Sequence, residues 1–151
     1  MDYNNILVAV DQSKNAEIAV NKAIEMAKRN NAQLTLLHVL DVDSISHEYS
    51  IPFYEEVEEL NPYIQNAKDS LEKYSDLAKK AGVRNVLTDV QEGSPKLVIS
   101  EEYPDDHNID LIVIGATGMG NLQRMIIGST TAFVVRHARI DVIVAKTNDN
   151  L

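Results

Sequence analysis

The sequence predicts an α/β protein: a five-stranded parallel sheet with helices on both faces. Three observations point there. Short apolar runs alternate with stretches of helical periodicity from one end of the chain to the other. The first run, Ile6 to Val10 ("ILVAV"), is apolar without polar alternation, the pattern of a strand buried on both faces. The resulting order, β-α-β-α-β-α-β-α-β, argues for parallel pairing with crossover helices.

Each element has its own signal. Asp11, Gln12 and Ser13 end the first strand. Beyond them Ala16, Ala19, Val20, Ala23 and Ala27 fall at helical spacing, with Ser13 as the expected N-cap. Alanine dominates that stripe, so the helix is suited to close packing on a sheet. Gln33 to Leu40 reads as the second strand. Asp41 to Pro62 has no clean period and reads as a long loop with one short helix. From Tyr63 to Ala81 the residues Ile64, Ala67, Leu71, Tyr74, Ala78 and Ala81 step by three and four, an amphipathic helix. Gly82 stands where a left-handed C-terminal cap is wanted. Val83 to Val90 is the third strand. Ser94 and Pro95 open the next helix as N-cap and first helical residue. "DLIVIG" is the fourth strand, "STTAFVVRHA" a helix and "DVIVAK" the fifth strand; the polar tail from Thr147 is expected to fray. No internal repeat or linker divides residues 1–151, which are read as one domain of ordinary size.

Composition narrows the function. The net charge of −9 opposes general nucleic-acid binding, which relies on a basic surface. There is no cysteine, so disulfides, thiolate metal sites and cysteine nucleophiles are excluded. No apolar run approaches the roughly 20 residues of a membrane helix. The N-terminus lacks the basic-then-apolar pattern of a signal peptide, so the expected location is the cytoplasm. The acidic runs "EEVEEL" and "EEYPDD" read as solvated surface; nothing in their spacing shows converging metal ligands. His38, His47, His107 and His137 form no ligand spacing, and His38 reads as a satisfied strand residue. No catalytic set is readable.

The strongest local signal follows the fourth strand. Four of the six glycines fall in "GATGMGNLQRMIIGSTT", Gly115 to Thr131. A Walker A loop needs Lys and Ser/Thr after the second glycine, but Asn121 and Leu122 follow Gly120. The dinucleotide fingerprint belongs after the first strand and is also unmatched. Glycine nevertheless permits positive φ and close backbone approach. Successive N–H groups in such a turn can form an anion-binding concavity. Gly128 and Ser129 then open a helix whose free N–H groups favour phosphate, and Ser129 and Thr130 add hydroxyls. The competing reading is a plain strand-to-helix loop. Asp11 is likewise open to two roles: bonding a ribose hydroxyl or a metal through water, or capping the turn before the first helix. Arg124 is open to phosphate contact or to solvent.

Glycine, two residues, glycine, nine residues, glycine, then Ser or Thr is the pattern of Gly115, Gly118, Gly128 and Ser129. It resembles the nucleotide-binding members of the universal stress protein family. "ILVAVDQS", "LLHVLD", "VQEGSP" and "VVRHARIDVIVAK" extend the resemblance over most of the chain outside Asp43 to Pro62. The resemblance implies strand order 3-2-1-4-5 and an adenine nucleotide, ATP with Mg2+ or Mn2+, as ligand. It implies that Ala9, Val10 and Asp11 border the adenosine and that the backbone of Val39 reads the adenine. Gly115, Thr117 and Gly118 would flank ribose and phosphates, and Gly128, Ser129 and Thr130 would hold the phosphates. It also implies a homodimer paired through the last strand, here Val142, Ile143, Val144 and Ala145. The chain departs from the family at Thr117, where many members carry Arg or His, and at Asp141, where many carry Pro.

The expected function is an ATP-binding regulatory protein of the stress response, acting as a dimer. The alternatives are a slow ATP hydrolase, in which Asp11 would serve as an inefficient base, and a nucleotide-free dimeric interaction module.

Overall fold

The computed structural model describes residues 2–44, 61–117 and 127–146. The expected loop is described only outside residues 45–60. Gly118, Gly120, Arg124, His47 and the polar tail also lie outside the described residues.

Five strands form one parallel sheet: β1 (Asn5–Ala9), β2 (Gln33–Leu40), β3 (Val86–Glu92), β4 (Leu111–Gly115) and β5 (Asp141–Ala145), in the order β3-β2-β1-β4-β5. Ile6, Leu7, Val8, Leu111, Ile112 and Val113 at its centre have no exposed surface. Each such side chain contributes about 1.5–3 kcal/mol relative to leaving it in water.

Helices α1 (Asn15–Asn30) and α2 (Asn61–Ala81) cover one face, where Ala16, Ala19, Ala23 and Ala27 pack with Ile6, Val8, Leu34 and Leu36. The alanine stripe of α1 is thus its sheet-facing side. Helices α3 (from Pro95 to His107) and α4 (Ser129–His137) cover the other face, where Val98, Ile99, Tyr103 and Val134 meet Leu7, Leu37, Ile112 and Ile114. The split follows from right-handed crossovers. β1, β2 and β3 step one way across the sheet, and β4 and β5 lie on the other side of β1.

Both long helices end in the same way. Asn31 (φ 52°) and Gly82 (φ 107°) are left-handed. Ala32 N–H donates to Ala27 O and Val83 N–H to Ala78 O, closing Schellman caps. This moves the start of β3. Val83 was expected in the strand, but it is the buried apolar residue of the α2 cap, and β3 begins at Val86.

One further expectation changes, and the third helix is irregular. Ser13 does not cap α1: its hydroxyl and its N–H both donate to Asp11 Oδ1, an Asx turn, and the N-cap position falls on Lys14. The third helix runs on through Pro104. Pro95–Leu97 is α-helical, Val98–Glu102 is wound as a π-helix, and Tyr103–His107 returns to α. Proline supplies no N–H and its ring crowds the carbonyl four residues back. The wider π turn, with Ser100 Oγ donating to Lys96 O at 2.6 Å, lies just upstream of Pro104. Tyr103 is buried and donates to Asp89 Oδ2 at 3.0 Å. Burial first, and then the Asp89 carboxylate, hold its hydroxyl well above the usual tyrosine range, so it stays a donor.

The two ends of the sheet differ. At the amino ends Asp110 accepts from the N–H groups of Asn4 and Asn5, and Tyr3 Oη donates to Asp141 Oδ2 at 2.7 Å. At the carboxyl ends the sheet parts. β1 and β4 are in register only through Ile6–Leu111, Leu7–Ile112 and Val8–Val113. Beyond that β1 stays with β2, as Val10 N–H donates to Leu37 O, and β4 stays with β5, as Ala116 N–H donates to Ala145 O.

Gly93 turns β3 into α3 with φ 148°, and a Cβ there would lie 3.2 Å from Val98 Cγ2. Gly93→Ala is therefore expected to destabilise the fold by about 1–3 kcal/mol. Ser94 makes no side-chain cap bond, so Ser94→Ala should cost under about 0.5 kcal/mol. Urea unfolding of the two variants measures the difference.

Candidate functional site

A cavity of about 470 Å³ opens where β1 and β4 part, within the range of small-molecule sites. Its position obeys the rule for open α/β sheets, in which ligands sit beyond the carboxyl ends of the strands where strand order reverses.

Of the residues singled out in the sequence, Ala9, Val10 and Asp11 form one wall as β1 runs into the turn before α1. Val39 lines the floor from β2, its side chain packed against the α3-side core. Gly115 and Thr117 form the opposite wall, and Gly128, Ser129 and Thr130 close the far side. The chain thus brings nine of the ten positions around one cleft; the tenth, Gly118, lies outside the described residues. Val142, Ile143, Val144 and Ala145 lie apart from the cleft, on the β5 edge. The first three are half-buried, whereas Ala145 is buried in the α1-side core.

The neck of the glycine segment is held by main-chain and side-chain bonds. Gly128 N–H donates to Ala116 O at 2.8 Å, so the two ends of the segment are tied together. Thr131 Oγ1 donates to Gly115 O at 2.7 Å. Gly128 is the extended N-cap of α4, and its carbonyl accepts from Ala132 N–H. The N–H groups of the first turn have no intrahelical partner, and the dipole of α4 adds partial positive charge there. They stand at the cleft with the hydroxyls of Ser129 and Thr130.

A Cβ built on Gly115 would meet Asn15 O at 3.4 Å, Thr117 O at 3.7 Å and Asn15 Cβ at 3.8 Å. These are contact distances: alanine fits, and anything larger presses into the start of α1. Gly115 therefore admits α1 close to the end of β4. His38 is buried with Nδ1 2.7 Å from Val10 O. A carbonyl only accepts, so Nδ1 carries the proton, and His38 is the satisfied strand residue expected. Its bond fixes the Val10 carbonyl at the edge of the cleft.

Several lining residues were not read as site residues from the sequence. Asn15, Pro95, Ile99 and Thr131 enter from α1, α3 and α4. Only the crossover geometry assembles them. Thr131 had one weak cue, a second threonine after the serine of the glycine pattern. Among the described residues no group of three or more His, Asp or Glu side chains is placed to hold a metal ion. No helix among them is long and apolar enough to cross a membrane.

Thr131 is buried, and its bond is made to the last residue of β4. Thr131→Val keeps the shape and leaves Gly115 O without this donor. The expected loss is about 1–2 kcal/mol, read as a lower urea midpoint with unchanged slope.

The profile of the universal stress protein family matches residues 2–146. A protein of Staphylococcus epidermidis, provisionally named a universal stress protein, is 40% identical over 151 residues, spanning 99% of this chain and 87% of its own. The solved structure of the universal stress protein UspA from Lactobacillus plantarum superposes with a TM-score of 0.85 at 37% identity, over 97% of this chain and 99% of its own. A universal stress protein from Archaeoglobus fulgidus, solved in complex with dAMP, superposes with a TM-score of 0.68 over 97% of this chain and 100% of its own. At 24% identity that last likeness is one of fold. With the family profile matching residues 2–146 and a relative 40% identical over 87% of its own length, the chain belongs to the universal stress protein family.

Proposed function

We propose that this protein is a nucleotide-dependent regulator that binds ATP with Mg2+ or Mn2+, as a single domain acting in a homodimer. The observation that carries the reading is the convergence of Ala9–Asp11, Val39, Gly115, Thr117 and Gly128–Thr130 on one cleft. Ala9, Ile99 and Ile114 give the cleft an apolar floor suited to a base. The α4 N-terminus, Ser129 and Thr130 give it donors suited to phosphate. That a protein of this fold holds dAMP supports the reading at the level of the fold.

In this reading the base and ribose lie along β1 and β2, and the polyphosphate crosses to the start of α4. Asp11 is exposed and already accepts from Ser13 through Oδ1. It is placed to meet a ribose hydroxyl, or the metal through water, as well as to hold its turn. A metal held there with the nucleotide would offset phosphate charge in a chain whose net charge is −9.

The dimer is assigned to β5. Among the described residues it is an edge strand, with no strand paired along one side and with half-buried Val142, Ile143 and Val144. Such an edge is a template for strand pairing. Ala116 N–H donates to Ala145 O, so the neck of the glycine segment is bonded to the proposed dimer strand.

At 100 times its dissociation constant, a ligand of the folded state adds about 2.7 kcal/mol. MgATP is therefore expected to raise Tm by roughly 5–10 °C. Gly128→Val, which puts a branched side chain at the α4 N-cap, is expected to abolish the rise. A thermal scan of both proteins tests the reading; equal shifts in the two would remove the glycine segment from the site. Sedimentation tests the dimer. Wild type is expected at twice the chain mass, and Val142→Lys, a charge on the edge strand, at the mass of one chain.

A further inference from the structure

The contact between Asn15 and Thr117 carries one step more, resting on the nucleotide-binding reading above. Asn15 Nδ2 lies 2.6 Å from Thr117 Oγ1 and 3.2 Å from Thr117 O. The two residues are 102 positions apart in sequence and both line the cleft.

The chemistry of the pair is determined by the carbonyl. Thr117 O can only accept, so the amide atom facing it must be the nitrogen and not the oxygen. The same nitrogen is the atom 2.6 Å from Thr117 Oγ1. Thr117 Oγ1 therefore accepts from Asn15, and its own hydroxyl proton is directed elsewhere. Asn15 is fixed in turn by its place in the first turn of α1, so near Gly115 that a Cβ on that glycine would lie 3.4 Å from Asn15 O and 3.8 Å from Asn15 Cβ.

We propose that Asn15 is a positioning residue that holds the Thr117 hydroxyl as a donor toward a phosphate oxygen of the bound nucleotide. Without Asn15 the hydroxyl is free to turn and donate to a main-chain carbonyl, and the phosphate loses a directed, charge-assisted hydrogen bond. Thr117 touches ligand; Asn15 acts through Thr117. The pair also ties α1 to the neck of the glycine segment, so the donor is held between two rigid elements.

The test is a double-mutant cycle read by calorimetric binding of MgATP and, separately, of adenosine. Thr117→Val is expected to weaken MgATP roughly tenfold and to leave adenosine within about twofold. Asn15→Ala is expected to weaken MgATP about three- to tenfold in the wild-type background and to add little when Thr117→Val is already present. Thr117→Ser should restore the effect of Asn15. Circular dichroism and Tm of each variant report folding separately from affinity. An Asn15→Ala loss that is equal in both backgrounds, or equal for adenosine, overturns the proposal by making Asn15 a direct contact or a support of the fold alone. A wild-type protein that binds MgATP but gives a flat cycle overturns this inference and leaves the nucleotide reading standing. A wild type that binds neither ligand overturns both.

Discussion

The early end of the β1–β4 pairing is the constraint on which the rest of the structure depends. These strands share three fully buried pairs and then part, each staying with its outer neighbour. A parallel pair that continued would seal the carboxyl end of the sheet. One that stopped sooner would strip the core of its central contacts. Because the crossovers leave β1 and β4 in opposite lateral directions, α1 and α4 start on opposite faces and on opposite sides of the gap. The cleft is the space between those helix starts. Nothing in it requires a catalytic side chain for its shape.

That gap explains the uneven treatment of polar groups at the two ends of the sheet. At the amino ends Asp110 and Asp141 accept from Asn4, Asn5 and Tyr3, and the chain is stitched shut. At the carboxyl ends the bonds pull sideways. His38 holds Val10 O, Thr131 holds Gly115 O, and Gly128 holds Ala116 O. Each fixes one wall and leaves the space between walls open. Asp141 belongs to this pattern. At the start of β5 its carboxylate takes the Tyr3 hydroxyl, a contact that a proline at that position could not make.

Most of this was legible in the sequence because the determining interactions are local. Continuous apolar runs mark doubly covered strands, and the alanine stripe of α1 marks a helix that lies close on its sheet. The glycine spacing marks the neck and far wall of the cleft. The misreadings share a physical origin. Val83 is apolar enough for a strand, yet the Schellman cap of α2 takes it into the core first. Ser13 has the chemistry of an N-cap, but the Asp11 carboxylate, two residues away, competes for its hydroxyl and wins. The passage of α3 through Pro104, with a π turn just upstream, had no signal in the sequence pattern. Asn15 and Thr131 were illegible as site residues for another reason: their roles exist only after the crossovers bring α1 and α4 to the end of β4.

The charge of the chain looks at first like an argument against an anionic ligand. A net charge of −9 repels phosphate at long range, but screening cuts that field within roughly 8 Å at physiological ionic strength. Binding is decided inside that radius. There the relevant charges are the partial charges of main-chain N–H groups at the start of α4, which lines the cleft and is held in place by the Gly128–Ala116 bond. Such donors require no counter-charge to be buried when the cleft is empty, as a lysine or arginine would. Their hydrogen bonds strengthen as the ligand displaces water. A negative net charge is therefore no argument against the proposed ligand, because the attraction it needs is local to the place where helix start, hydroxyls and a glycine neck coincide.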